Sequence, residues 1–319
     1  MKNIYFAFLA FIVPFGVSAH VGYVIDEADR VAHSGPDIHF LLSALTPFNI
    51  GLMVGTALLV LVAFFVSERS RWVKNWIMRI QARTTTYRDF LPWMLRLSLG
   101  IALIGAGSSE VFISPLLPAG NLISLFQIAC GFLVLSGFLT GLATVGSIIL
   151  YFIALSHSAY IIGNLDFLGI AIAILLFANS KPGMDDIFTI PFFPSLKKYA
   201  NYAPVVARLG IGFAMTYLAI YEKFLNPEIS ELVVQKFNMT AAIPVSGAMW
   251  VLSAGIIELA VGLLLIIGFR PRLVSAVAFL VLTASFFFFK EAVYSHITLF
   301  GTLSVVFASG GKKFKTTQS

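Results

Sequence analysis

Arg96-Leu-Ser-Leu-Gly100 … Glu110-Val-Phe112-Ile-Ser-Pro115 returns later in the chain as Arg208-Leu-Gly-Ile-Gly212 … Glu222-Lys-Phe224-Leu-Asn-Pro227. A constant shift of 112 positions, from Arg96 to Arg208, superposes Arg, Leu, Gly, Ala, Glu, Phe and Pro without a gap. Each copy reads as an apolar helix with a cation at one end and a carboxylate near the other. Fourteen residues make nearly four turns, so the Arg and the Glu share a face roughly 21 Å apart. A second pair of segments aligns downstream. Gln127-Ile-Ala129-Cys-Gly131 … Gly137-Phe138 matches Glu258-Leu-Ala260-Val-Gly262 … Gly268-Phe269 at a shift of 131, the difference being taken up in the loop 225–246. Near the end of each copy, Phe177-Ala178 matches Phe307-Ala308. The pattern predicts a unit of four helices used twice.

Composition assigns the solvent. Hydrophobic residues are 59% of the 319 and charged residues 11%, against about 25% charged in an average soluble domain. That balance cannot coat a soluble globule, and the class is a polytopic membrane protein. Cys130 is the one cysteine, which excludes an internal disulfide and a CxxC redox pair.

Taken in order, 1–19 has a basic start, a short apolar run and Val17-Ser-Ala19, the form of a cleavable secretory signal. Residues 20–42 are a polar extracellular arm, too short for a core of their own. Residues 43–66 form a first transmembrane helix with a Gly51/Gly55 pair that permits close helix contact. The basic segment 67–92, with Trp72, Trp76, Ile77 and Ile80 at helical spacing, reads as an amphipathic helix on the inner leaflet. Then come repeat 1 (93–180), a linker (181–203), repeat 2 (204–311) and a basic tail (312–319). Spans are expected near 93–112, 121–138, 141–156 and 165–179, and again near 204–224, 247–268, 272–289 and 294–309. The expected fold class is therefore all-α: a polytopic membrane helix bundle of two parallel four-helix repeats plus one preceding transmembrane helix. Four spans per repeat leave both copies facing the same way, related by an axis along the membrane normal.

With the arm outside, every lysine and arginine except Arg30, Lys223, Lys236 and Lys290 falls at the cytoplasmic side, the positive-inside pattern. The net charge of +6 thus belongs to topology and gives no reason to expect a nucleic-acid partner. The expected location is the plasma membrane, multi-pass, with the N-terminal arm outside and the C-terminus cytoplasmic. The same orientation makes Arg96 and Arg208 anchors in the inner headgroup layer.

Ionisable groups gather in the outer half of repeat 2. Glu222 and Lys223 end its first span, Glu258 lies within the second, and Lys290, Tyr294 and His296 flank the turn between the third and fourth. A carboxylate inside a span is expensive and faces a partner or a cavity. These six residues are the candidate binding pocket, and a helix-packing role for Glu258 is the alternative. Their counterparts in repeat 1 are Glu110 and Gln127. Because repeat 1 carries Gln at the Glu258 position, Glu258→Gln is expected to remove function but not fold, and Gln127→Glu to be innocuous. Cleavage after Ala19 would set the His20 amine and imidazole near His33 and His39 in sequence, a weak candidate for Cu(II) or Zn. Phosphate-loop, dinucleotide, zinc-protease and nucleophile-elbow motifs are absent from the sequence. So are paired histidines at heme depth, which argues against intrinsic heme.

The Arg-Leu-x-x-Gly … Glu-Lys-Phe … Pro helix beginning at Arg208, followed by the Glu-Leu-x-x-Gly-Leu-Leu-Leu-Ile-x-Gly-Phe-x-x-Arg helix from Glu258 to Arg272, resembles the DoxX-like membrane proteins. The resemblance covers 204–309 well and 93–180 more faintly. It implies a four-helix unit, here in tandem. It also implies a link to membrane redox chemistry, since relatives include a thiosulfate:quinone oxidoreductase subunit and partners of antioxidant enzymes. Quinone as cofactor and soluble or membrane redox proteins as partners are expectations carried by that resemblance. Family members usually have one unit, so the second copy, the signal and the extra first span depart from the pattern. Two functions stay open: a membrane subunit of a redox complex, and a non-enzymatic binder or carrier for a small solute or metal ion.

Overall fold

The computed structural model describes residues 23–85, 87–178, 182–190, 193–289 and 291–313. The N-terminal arm contains two short helices, Glu27–Ala32 and Ile38–Ser43, the second capped by Asp37, which accepts from Phe40 N–H at 2.9 Å. Helix α1 (Pro47–Arg69) starts where Thr46 Oγ1 accepts from Asn49 N–H and Pro47 occupies the first turn, a position where a missing N–H costs nothing. It breaks at Ser70 into α2 (Arg71–Thr85), which carries Arg71, Arg79 and Arg83. The first group of four is α3 (Leu91–Ser108), α4 (Asn121–Ser136), α5 (Thr140–His157) and α6 (Leu165–Phe177). The second group starts with α7 (Ala203–Leu218). It continues through the surface helix α8 (Pro227–Lys236) to α9 (Gly247–Ile267), α10 (Pro271–Phe289) and α11 (Val293–Ser309).

The protein is an all-α polytopic membrane bundle. Among the described residues six helical stretches are long and apolar enough to cross a membrane, and three shorter apolar helices lie in α1, α4 and α11. Together they fall where the nine spans were expected. One small departure interrupts the helices. The span expected over 93–112 stops at Ser108, and Val111–Phe112 pairs with Ser114–Pro118 as an antiparallel hairpin.

Each group closes on itself. In the first, α3 packs on α4 and α6, and α5 bridges α4 and α6; in the second, α7 packs on α9 and α11, and α10 bridges α9 and α11. The joint between groups has the same regularity, with α3 on α11, α7 on α6, and α6 on α11. Two glycines set the distance at this joint. A Cβ built on Gly210 would lie 2.8 Å from Gly169 Cα, so α6 and α7 meet backbone to backbone.

Arg96 and Arg208 are not headgroup anchors. Both are buried, and each ties off the C-terminus of the following span. Arg96 donates to Val134 O (2.9 Å), Leu135 O (3.2 Å) and Pro182 O (2.9 Å). Arg208 donates to Leu265 O, Ile266 O (2.9 Å) and Gly311 O (2.8 Å). The last carbonyls of a helix have no intrahelical partner and form the negative end of its dipole, so a guanidinium satisfies bonds and charge together. Gly137 and Gly268, at φ 71° and 77°, end α4 and α9 beside these guanidinia, a left-handed conformation that favours glycine.

α1 stands nearly apart from this body. Leu52 and Met53 touch Ala248, Met249 and Leu252, but most of its length is exposed, as suits a helix facing lipid. The Gly51/Gly55 pair, expected to seat a neighbouring helix, makes no close contact among the described residues.

Candidate functional site

The site begins with an irregularity at the end of α7. The helix widens into a π-helical turn, Ala219–Phe224, and Leu225 N–H donates to Ile220 O at 2.9 Å. Pro227 has no N–H to return to a carbonyl one turn back. The Glu222 carbonyl accepts from Ser230 Oγ at 2.7 Å. Inserting a residue into one turn changes the angular spacing of neighbours, and here both Glu222 and Lys223 turn inward, 4% and 1% exposed. Gly255 on α9 makes room for them, since a Cβ there would lie 2.8 Å from Lys223 Cβ. Lys223 Nζ sits 3.0 Å from Glu222 Oε2 and 4.0 Å from Glu258 Oε2. Glu258 itself is 3% exposed, and neither of its carboxyl oxygens has a hydrogen-bond partner. A buried carboxylate without hydrogen bonds is costly.

The first group of helices supplies the other wall. Between α5 and α6 the chain makes a 3-10 turn, Ala159–Asn164, fastened when Tyr217 OH donates to Ala159 O at 3.0 Å. Tyr160 OH, on this turn, donates to Glu222 Oε1. In the first turn of α6, Asp166 is buried close to Thr298 and His296 of α11. There His296 Nε2 lies 2.7 Å from Glu291 Oε2, while its Nδ1 lies 2.8 Å from Ser295 Oγ. The arm joins these two sets. The Tyr23 ring stands edge-on to Tyr160 (6.4 Å between centroids) and to His296 (6.1 Å), with Ser114 Oγ 3.2 Å from its hydroxyl. Burial pushes the Tyr23 phenol far above its ordinary range, so it remains a neutral hydroxyl. The result is one polar seam that crosses the joint between the two groups.

A cleft of ≈ 270 Å³ leads to this seam from the face that carries the arm and the hairpin. Arg30, Leu116, Tyr160, Tyr221, Glu222 and Asn226 are among its walls. Tyr160 and Glu222 therefore belong to both the cleft and the buried cluster. The arrangement offers acids, a buried cation and hydroxyls in one chain of contacts, which can exchange protons or hydrogen-bond a polar ligand. Metal binding is a different matter, because among the described residues no group of three His, Cys, Asp or Glu side chains could hold an ion.

The family model described as DoxX matches residues 203–291. That stretch of this polytopic membrane protein is similar to DoxX. The match runs from the start of α7 to just past α10 and thus takes in Glu222, Lys223 and Glu258. No curated protein and no solved structure matches the chain.

In this fold the six pocket candidates separate. Glu222, Lys223 and Glu258 meet, and His296 lies on the same seam through Tyr23. Tyr294 does not join them. Its Cβ and ring pack into the space that a side chain on Gly105 of α3 would fill, which makes it part of the joint between groups. Lys290 and His20 lie outside the described residues. His33 Nδ1 bonds its own helix at Asp29 O (2.9 Å), and His39 is exposed on the Ile38–Ser43 helix. The repeat-1 counterparts do something else. Glu110 is exposed in a left-handed turn at φ 55°, because α3 has already ended. Gln127 is buried and holds the hairpin, with its Oε1 accepting from Ile113 N–H at 3.0 Å and its Nε2 donating to Val111 O at 2.8 Å.

Repeat 2 alone was expected to hold the pocket, yet Tyr160, Asn164 and Asp166 come from the first group and Tyr23 from the arm. Asn164-Leu-Asp166 was the available signal, two polar residues at the mouth of an otherwise apolar span. Nothing local marks Tyr23 or Tyr160, since their roles come from the tertiary contact.

Proposed function

We propose that this DoxX-like protein is the membrane subunit of a redox complex, and that the Glu222–Lys223–Glu258 cluster handles protons for a quinone-type carrier. The observation that carries the reading is Glu258: a carboxyl within a span, without a hydrogen bond and 4.0 Å from a buried ammonium. That pair is linked through Glu222 and Tyr160 to an outward cleft. Reducing a quinone to a quinol takes two electrons and two protons. Electrons come from a partner protein, and this chain's acids, lysine and tyrosine supply or accept the protons. Extraction in mild detergent followed by mass spectrometry of the bound lipids tests the reading. Near-stoichiometric quinone with the wild type and little with Glu258→Gln is expected. Equal amounts with both, or none with the wild type, would overturn it.

A second reading, a binder or carrier for a small solute, is favoured by the cleft itself, whose walls combine Arg30, Glu222 and tyrosine rings. Uptake of a solute into vesicles holding the protein alone, with no redox partner, would select it.

In this proposal the arm and cleft face outside, and α2, the linker and the tail are cytoplasmic. The chain is then a tandem duplication of the DoxX-like unit, led into the membrane by a signal peptide at 1–19. The motive is the sorting of cations, together with Arg96 and Arg208 tying off helix ends on the face opposite the cleft. In a Cys130→Ser background, a cysteine at position 235 should react with an impermeant maleimide on intact cells, and one at position 75 should not. The reverse pattern would refute the orientation.

A further inference from the structure

The N-terminal arm does more than lie on the bundle. Tyr23 leaves the surface and enters the joint between the two helix groups, where its ring fills a slot between Tyr160 and His296. At the bottom of the slot Ser114 and Asn164 meet its hydroxyl. Around the slot are the groups already described as acid and base: Glu222 through Tyr160, Glu291 through His296, and Asp166 beside Thr298. Two oxygens facing this region, Asp166 Oδ2 and Asn164 Oδ1, have no hydrogen-bond partner although both residues are buried. A phenol has one hydroxyl, and it does not satisfy them all.

Phe40 and Leu41 anchor the far end of the arm in the bundle, but its first part, from Tyr23 to Gly35, is held by few bonds. Lys236 Nζ donates to Val24 O at 2.8 Å and Gly35 N–H donates to Asn226 Oδ1 at 2.9 Å. Ile25, 9% exposed, seats against Ile229, Val233 and Trp250. Beyond these points the helix Glu27–Ala32 buries no residue. The same segment roofs the cleft through Arg30, Val31 and Ser34. Lifting this first part of the arm would open the slot and the cleft at once. The free-energy difference to be overcome is a handful of contacts, within reach of a ligand that binds the open form better.

We infer that Tyr23 is a built-in stand-in for the ligand, and that the slot it occupies is a binding site for a hydroxylated aromatic ring such as a quinol headgroup. Edge-on aromatic neighbours recognise a flat ring. Hydroxyl, amide and carboxyl groups at its rim recognise ring oxygens, and a quinol has a second hydroxyl for the acceptors that the tyrosine leaves unpartnered. The arm and the ligand then compete for one place. This inference rests on the quinone reading above for its ligand class, and it adds the location of the ring and the device that guards it.

The test uses the full chain in lipid nanodiscs with a short-tailed benzoquinol as probe. Ile25→Cys in a Cys130→Ser background reports the arm, because the side chain is covered while Tyr23 is seated. Slow maleimide labelling without the quinol and at least roughly tenfold faster labelling at saturation are expected, a population shift of about 1.4 kcal/mol. Tyr23→Ala should label quickly without quinol and bind the quinol more tightly, while Tyr23→Phe, which keeps the ring but loses the hydroxyl, should fall between. Quinol binding to the wild type with no change in labelling would place the ligand elsewhere and overturn the inference, leaving the redox reading standing. Quinol-driven labelling without any quinol oxidation or quinone reduction in native membranes would keep the slot and remove the redox reading. Failure of both the wild type and Tyr23→Ala to bind the quinol would remove both.

Discussion

Lys223→Met is expected to cost this protein about 3–5 kcal/mol of stability, the usual penalty for removing one partner of a buried ion pair. The ammonium lies 3.0 Å from Glu222 and 4.0 Å from Glu258, and Met leaves the two carboxyls facing each other across the space it held. Volume is not the issue, since Met is of similar length and equally at home beside Phe224. The two acids should not contribute equally. Glu222 keeps the hydrogen bond from Tyr160, whereas Glu258 has no other bond to fall back on. Lys223→Met combined with Glu258→Gln should therefore recover more stability than Lys223→Met combined with Glu222→Gln. Thermal unfolding in detergent, with the monodisperse fraction on size exclusion as a second readout, measures the series. A single Lys223→Met variant as stable as the wild type would show that the lysine does not hold the acids together.

Glu258→Gln is expected to leave the fold intact and weaken quinone retention by about tenfold to a hundredfold. Lys223 still has Glu222, so no buried charge is stranded. What is lost is the second carboxyl facing Lys223, which alters the charge carried through Glu222 and Tyr160 to the ligand, an effect on the scale of one charge-assisted hydrogen bond, about 1.5–3 kcal/mol. Full retention of quinone by a well-folded Glu258→Gln protein would reduce the residue to a packing element. The mirror substitution no longer looks harmless. Reading the two repeats side by side makes Gln127→Glu innocuous, but Gln127 Nε2 donates to Val111 O. A carboxylate there would set oxygen against oxygen in a buried place. Gln127→Glu should loosen the Val111–Pro118 hairpin and with it Ser114, which touches Tyr23.

The two groups of helices differ at one helix end. The Arg96 and Arg208 segments align residue for residue, and their guanidinia make the same kind of cap. Fourteen residues later the paths differ. α7 runs on through a π turn that buries Glu222, while α3 stops at Ser108 and hands the space to a hairpin that Gln127 holds. The family match to 203–291 lies on the half that carries Glu222 and Glu258.

Read alone, the sequence determined the class, the spans and the neighbours along the chain. Apolar runs, helix caps and charge sorting are local properties, written in consecutive residues, and the solvent they select is the bilayer. It also singled out Glu222, Lys223 and Glu258, because charge inside an apolar run is conspicuous. Only the tertiary structure decided which charges meet. Tyr160 reaches Glu222 from 62 positions away, and Tyr23 reaches Ser114 across 91. The close approach of Gly169 and Gly210 brings the two groups near enough for such contacts. No periodicity encodes a contact between two groups of helices, since it depends on how their surfaces fit. For the same reason Arg96 and Arg208, which their position alone would leave in the headgroups, are buried caps: their partners are carbonyls at the ends of α4 and α9, visible only once those helices are packed.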